Sequence, residues 1–267
     1  MQRVAIFGAS GYGGVELARM LLDHPGFDVT YLAGHSTAGK RVGEIYDHLP
    51  PLADRVIAEG NLAEAMDTAD VLVFALHPGD GTTMVAEAVA AGRPTLDFSA
   101  DFRLASRADY EQYYGPHPMP ELIGKAVYGL PELHREAIKA TNFVAVPGCY
   151  PTSGTLALAP AVAGGLVDPD SLIVDSMSGV SGAGRALKLT SHFSEVNESA
   201  TAYGVARHRH TPEMIQELGT LGTPVKLTFT PHLIPISRGI LSTCYGTLTG
   251  SPSAAEVQSA YEEFYAG

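Results

Sequence analysis

Tryptophan is absent from this sequence, and cysteine occurs only twice, at positions 149 and 244. Two cysteines so far apart cannot build the disulfide framework of a small secreted domain and suit a reducing compartment. Basic residues are also scarce: 17 Lys and Arg stand against 29 Asp and Glu, a formal charge of -12. That balance argues against non-specific nucleic-acid binding, which needs a basic face, but leaves room for a small anionic substrate where a few cations converge. No apolar run approaches the roughly 20 residues of a membrane span, and the start of the chain is interrupted by glycine too soon for a signal peptide. A cytoplasmic protein is expected, with neither nucleic acid nor membrane as partner. The 267 residues, 45% of them hydrophobic, suffice for two folded domains. There is no internal repeat and no low-complexity tract.

What is present begins with an order of elements. Val4-Ala5-Ile6-Phe7 reads as a buried strand, Gly8-Ala9-Ser10-Gly11-Tyr12-Gly13-Gly14 as a tight turn, and Val15 to Leu22 as a helix. Glycines in that setting bring backbone N–H groups against a pyrophosphate at a helix N-terminus, although a plain loop has the same composition. A second strand, Asp28 to Gly34, ends not on the carboxylate of an NAD-selective site but on His35, Ser36, Thr37, Lys40 and Arg41. Such a cluster suits a 2′-phosphate and favours NADP over NAD; a solvated loop is the competing reading. Strands at 71–76 and 94–98 alternate with helices near 62–66 and 82–91, which predicts a parallel sheet covered on both faces. His77-Pro78-Gly79 and Ser99-Ala100-Asp101-Phe102-Arg103 follow the carboxyl ends of two of those strands, where open α/β sheets bind ligands. Arg103 there either reaches an anion or pairs with Asp101. The Tyr-, Pro- and Gly-rich stretch after Arg103 reads as irregular structure carried by turns.

The chain then reaches Val146-Pro147-Gly148-Cys149-Tyr150-Pro151-Thr152, between a short apolar strand and a helix-like segment. A thiol at such a turn faces unpaired N–H groups and the positive end of a helix dipole, which favours the thiolate. Buried cysteines usually act as small hydrophobes instead, and that is the reading kept for Cys244. Beyond residue 148 the strands are separated by fewer helices, which predicts an α+β domain with a mixed sheet. Ser178 to Arg185 is a second glycine-rich loop after a strand, open to close backbone approach by a ligand. In Arg207-His208-Arg209-His210-Thr211-Pro212-Glu213 three uses compete: a metal site, a solvated basic turn, and a general base with neighbours that hold an anion. The first lacks further ligands nearby, and no metal is expected.

Together these blocks resemble the N-acetyl-γ-glutamyl-phosphate reductase family, relatives of aspartate-semialdehyde and glyceraldehyde-phosphate dehydrogenases. The resemblance runs from Gly8–Gly14 through Ser99–Arg103, Tyr128-Gly129-Leu130-Pro131-Glu132, Pro147–Thr152, Ser178–Arg185, His192-Phe193-Ser194-Glu195 and His208–Glu213 to Pro231-His232-Leu233-Ile234-Pro235 and Arg238-Gly239-Ile240-Leu241. It implies an NADP-binding Rossmann-like domain over 1–147 and a catalytic domain over 148–267, in a homodimer or homotetramer. It further implies that Cys149 is acylated by an acyl phosphate and that NADPH reduces the thioester to a semialdehyde. His208 would be the acid/base, with Arg103, Arg185, His210 and Glu213 holding substrate. Gly8, Ser10, Gly11, Tyr12, Gly13, Ser36, Lys40, His77, Ser178 and Gly179 would hold NADP(H). Met177 stands where a basic residue is expected, and His77-Pro78 replaces Pro-His. Family chains run well past residue 267, so a shortened product with lower stability and weaker cofactor affinity is expected. The competing functions are a carrier-linked aminoadipate-phosphate reductase of lysine biosynthesis and a catalytically silent nucleotide-binding regulator.

Overall fold

Val4, Ala5, Ile6 and Phe7 are each at most 2% exposed, and a strand with no polar face has to be covered on both sides. In the computed structural model, which describes residues 1–266, the chain divides into two units at Pro147/Gly148. The first unit runs β1 (Gln2–Phe7), α1 (Tyr12–Leu21), β2 (Phe27–Ala33), α2 (Leu62–Thr68), β3 (Val71–Phe74), α3 (Thr82–Ala90), β4 (Thr95–Asp97), α4 (Arg107–Tyr114), β5 (Val127–Tyr128), α5 (Pro131–Lys139) and β6 (Phe143–Ala145). Its strands form one parallel sheet in the order β2-β1-β3-β4-β6-β5. Alternate residues of β1 enter separate cores, Val4 and Ile6 on one face and Ala5 and Phe7 on the other. The chain runs from β1 out to β2 and then back past β1 to β3 on its other side, creating the switch point beyond whose carboxyl ends such sheets bind ligands.

The stretch after Arg103 differs from its expected irregularity, since it contains α4, β5 and α5. Ser106 caps α4 by accepting from the Asp109 amide at 3.2 Å, and α5 opens with Pro131 in its first turn, where no N–H is needed. Those start signals were hidden among tyrosines, prolines and glycines that mark turns elsewhere.

The second unit holds α6 (Cys149–Ala163), β7 (Leu172–Ser178), α7 (Phe193–Val196), β8 (Thr201–Ala202), α8 (Thr211–Gly219), β9 (Leu227–Leu233), β10 (Ile240–Tyr245) and α9 (Ala254–Phe264). Its sheet, ordered β10-β7-β9-β8, pairs β7 with β9 in parallel and the two outer pairs antiparallel, a mixed sheet. Leu172, Val174 and Ser176 on β7 are buried on the side where α6 and α8 pack, whereas Ile173 and Met177 point to the other, open side.

Helix α6 contains Pro160, which has no N–H to give the Leu156 carbonyl. The hydroxyl of Tyr265, just past α9, donates to that oxygen at 2.5 Å, and Tyr261 donates to the Ala157 carbonyl at 2.7 Å. A tyrosine from the last helix therefore fills the gap that the proline opens. Tyr265→Phe is expected to cost about 1 kcal/mol and to lower Tm by about 2–4 °C. In a Pro160→Ala background, where an N–H returns to Leu156, the same change should cost markedly less. Thermal melts of the four proteins close the cycle, and additive effects would disprove the coupling.

Candidate active site

In the first unit the predicted nucleotide loop has a steric reason for each glycine that matters. Gly8 leaves β1 at φ +79°, and a Cβ there would overlap the Ala75 carbonyl oxygen at the end of β3; one on Gly14 would overlap the Gly8 carbonyl. The Gly11 amide donates to Gly8 at 3.0 Å, and Gly11 then precedes Tyr12 and Gly13, the first residues of α1, with no side chain capping the helix. An uncapped start of a ten-residue helix beside a close-packed turn is the geometry that accepts a phosphate. Ser10 is held from two sides: its hydroxyl accepts from Thr37 at 2.8 Å and its carbonyl from Tyr46 at 2.9 Å. The first of these bonds ties the glycine turn to the loop after β2, whose Ser36 and Lys40 are exposed. Arg41 in the same loop pairs with Asp54 at 3.0 Å on the surface.

Asp101, named in the sequence only as a possible partner of Arg103, anchors three neighbours. Only 1% exposed, its carboxylate accepts from the Gly79 amide at 2.9 Å, the Thr82 hydroxyl at 2.6 Å and the Tyr110 hydroxyl at 2.8 Å. It thereby fixes the loop that carries exposed His77 to the start of α3 and to α4. Arg103 is not the surface partner of Asp101 that one reading expected. Its guanidinium donates to the carbonyls of Val146 and Phe98, each at 2.7 Å, so it braces the ends of β4 and β6. Nearby, Asp97 accepts from the Ser99 amide at 3.0 Å and hydroxyl at 2.6 Å; burial nonetheless pushes its carboxyl up to about 6.

In the second unit Cys149 is the first residue of the 15-residue α6 and is exposed, as a small core hydrophobe would not be. Gly148 caps the helix through its backbone, with no side-chain cap, and its carbonyl accepts from both the amide and the hydroxyl of Thr152 at 3.0 and 2.9 Å. Pro151 falls in the first turn, where a missing N–H costs nothing. A sulfur so placed sees the positive end of the dipole. Cys244, in contrast, has its thiol raised to about 11 by burial.

His208 and His210 sit in the turn before α8, with ring centroids 4.9 Å apart. His208 also packs edge-on against Tyr150, Tyr203 and Phe229 at 5.5, 5.5 and 5.2 Å. Burial, helped by Arg209, pushes the His208 pKa down to about 4. The Tyr150 and Tyr203 hydroxyls meet at 2.7 Å, and burial raises both phenols. Neither tyrosine was singled out beforehand; Tyr150 directly after the cysteine was the available signal. Glu213, expected at the substrate, is 1% exposed and turned inward. Its carboxylate accepts from the Gly148 amide at 3.1 Å and lies 3.9 Å from His210 Nε2, so it holds the cysteine turn and offers no surface to a ligand. His210 too is buried, while Arg185 lies exposed at the end of the second glycine loop.

That loop contributes less backbone than expected. The amides of Gly179, Val180 and Ser181 all donate to carbonyls of residues 236–239 at 3.0 Å, and a Cβ on Gly179 would crowd Ile236 and Arg238. Gly179 is thus required by packing, and Ser178 is buried with its hydroxyl on the Gly179 carbonyl at 3.0 Å. Among the described residues no cluster of three or more His, Cys, Asp or Glu is arranged to hold a metal, and no helix is long and apolar enough to cross a membrane.

A switch-point glycine turn followed by a mixed-sheet unit that opens on an exposed cysteine is the plan of the semialdehyde dehydrogenases. The family described as Semialdehyde dehydrogenase, NAD binding domain matches residues 3–141, and Semialdehyde dehydrogenase, dimerisation domain matches 149–267. Among solved structures the fold is shared with aspartate semialdehyde dehydrogenase with NADP from Candida albicans (15% identity, TM-score 0.67, 97% of this chain and 75% of that one). It is shared equally with aspartate semialdehyde dehydrogenase II of Vibrio cholerae (16%, 0.70, 99% and 79%). Much higher identity links it to the N-acetyl-gamma-glutamyl-phosphate reductases of Pelotomaculum thermopropionicum, 49% over 99% of this chain and 77% of the relative, and Moorella thermoacetica, 48% over 100% and 78%. The chain belongs to the N-acetyl-gamma-glutamyl-phosphate reductase family.

The environment of Asp97 gives a pH dependence. Its folded pKa of about 6 lies above the ordinary 3.8, so the folded state binds the proton more tightly. Its contribution therefore lowers stability as pH rises from about 4 through 6. Asp97→Asn keeps an oxygen for Ser99 and should exceed the parent by about 1–3 kcal/mol at pH 7.5, with the difference vanishing near pH 4.5. Denaturant melts at the two pH values check this, and a difference independent of pH would contradict it.

Proposed function

We propose that the chain reduces N-acetyl-γ-glutamyl phosphate to N-acetylglutamate semialdehyde with NADPH, releasing phosphate, as a step of arginine biosynthesis in the cytoplasm. The single observation that carries the chemistry is the exposed Cys149 sulfur at the uncapped start of α6. Its electron pair forms a C–S bond to the acyl carbon while the C–O bond to phosphate breaks, and the departing phosphate keeps that pair. A thioester is a far better hydride acceptor than a carboxylate, which is the gain from covalent capture. The residues present fit an NADP(H) site: the turn leaves no room for a Cβ at Gly8 or Gly14, α1 begins uncapped, and Lys40 offers a cation to a 2′-phosphate. NADPH held there would supply the hydride that the acyl carbon needs, and with that hydride in place the C–S bond to Cys149 would break, the pair returning to sulfur. Gly8, Ser10, Gly11, Tyr12 and Gly13 hold the pyrophosphate, Ser36 and Lys40 the adenosine end, and His77 borders the crevice. Ser178 and Gly179 act through the shape of their loop, since their backbone is already engaged. Arg185 holds the anionic substrate. His208 serves as the acid/base for this chemistry, with His210 next to it, and Arg103 and Glu213 serve by bracing the turn before Cys149.

The chain also pairs with a second copy of itself. Ile173 and Met177 on β7 lie in register with Tyr245 and Leu241 on β10, and this open face of the sheet leaves the four 43–65% exposed. A self-complementary apolar face of that kind supports a two-fold dimer, in keeping with the dimerisation-domain match.

Two measurements test these readings. Phosphate-dependent reduction of NADP by N-acetylglutamate semialdehyde should fall by at least about 10³-fold in Cys149→Ser, with NADP binding unchanged; a serine variant of full activity overturns the thioester route. Met177→Glu with Leu241→Glu should halve the mass seen in sedimentation, and an unaltered mass removes that face as the interface.

A further inference from the structure

The open face of the second unit's sheet carries a charged pair among its apolar side chains. Asp175 lies between Ile173 and Met177 on β7, and alternation along the strand sends all three to the same side. His232 on β9 stands in register with Met177. Its Nδ1 is 3.1 Å from an Asp175 carboxylate oxygen, a contact of charge and not an aligned hydrogen bond. That nitrogen is covered, although the His232 side chain as a whole remains 24% exposed and that of Asp175 43%.

Among the described residues neither side chain pairs with another charged group. From β8, Ala202 sits opposite the imidazole; along β9, Thr230 is its neighbour on the same side; helices α6 and α8 lie behind the sheet. Strand β10, beyond β7, brings the titratable Tyr245 in register with Ile173. Asp175 is therefore the group that decides what a charge on the ring is worth. While the face is open, water screens both partners and the pair counts for little. Under an apolar cover the balance changes. An ion pair is tolerated there, whereas a carboxylate left beside a neutral ring is an uncompensated buried charge. Histidine is the side chain whose charge changes between about pH 5 and 8.

We propose that this face closes on a second copy of the chain with His232 protonated in each, so that both Asp175 carboxylates enter the contact as ion pairs. This rests on the reading of the face as the dimer contact, which the exposed Ile173, Met177, Leu241 and Tyr245 and the dimerisation-domain match support. Two-fold symmetry brings one pair from each copy into the same contact, so each dimer formed takes up protons at two equivalent sites. The proton is held more tightly in the dimer than in the separated chain. Association is therefore strongest below the histidine range and weakens as pH rises through it.

Fluorescence-detected sedimentation of the whole chain at pH 6 and pH 8 tests this. The dimer Kd should rise about 10- to 100-fold between the two, the size expected from partial linkage at both sites. Where the dimer is too tight to dilute apart, subunit exchange between two labelled pools should quicken by the same order. Asp175→Asn removes the charge that needs the proton and should hold Kd within about threefold over the range. His232→Gln leaves the carboxylate alone at every pH and should show, already at pH 6, the weak association that the parent shows at pH 8. A parent Kd equal at both pH values, or a pH slope that survives in either variant, overturns the proposal. Failure of the face itself reads differently. Met177→Glu with Leu241→Glu would then leave the mass unaltered, whereas a dimer that this change breaks and that is indifferent to pH removes the role of the pair alone.

Discussion

The placement of the sulfur depends on a hydrogen bond made one residue earlier, from the Gly148 amide to the Glu213 carboxylate at 3.1 Å. Glu213 lies in the first turn of α8, where an acidic side chain would ordinarily serve the unpaired amides of its own helix. Here it serves the Gly148 amide, just ahead of Cys149. One buried carboxylate thus draws the starts of two helices together, and the residues on either side of them follow. Cys149 comes from α6, and His208 and His210 from the turn that leads into α8. Loss of that acceptor would leave a buried amide unpaired, and bonds of this charge-assisted kind are about twice as strong as neutral ones.

The first unit uses the same device. Asp101 takes the Gly79 amide, the Thr82 hydroxyl and the Tyr110 hydroxyl into one buried carboxylate, and its own carbonyl accepts from His117 at 2.8 Å. The loop after β4 is held by buried Ala100, Phe102 and Leu104, whereas the one after β3 buries no apolar side chain between His77 and Gly81. That second loop needs an internal anchor if it is to keep one shape without a ligand. In both units the anchor is an acidic residue that a sequence reader would assign to the ligand. Asp101 and Glu213 are needed because they face inward, to the backbone that does face the ligand.

Much of this arrangement was legible in the chain itself. Periodicity was enough for β1, the glycine turn, α1 and the alternation that follows, because strands buried on both faces leave continuous apolar runs. The cysteine turn was legible because Pro147, Gly148 and Pro151 allow few other conformations around it. Burial direction was not. Glu213 and Arg103 have the composition of substrate ligands, and only packing reveals that one holds an amide and the other two carbonyls. Nor could spacing give the aromatic enclosure of His208, since Tyr150, Tyr203 and Phe229 come from three distant segments.

Helix α6 shows how far tertiary packing overrides local preference. It contains Gly154 and Pro160, two poor helix formers whose intrinsic penalties are roughly 1 and 3 kcal/mol in a helix interior. Each is offset by a neighbour. A Cβ on Gly154 would stand 2.7 Å from the Met214 sulfur, so glycine there lets α8 approach closely, and that approach brings Glu213 within reach of Gly148. Pro160 strips a donor from Leu156, and Tyr265 restores one from outside the helix. The helix that presents the nucleophile is therefore weak by itself, and its position is decided by α8 on one side and α9 on the other. A stronger helix former at residue 154 would favour α6 in isolation and push α8 away, moving the carboxylate off the amide that sets the sulfur in place.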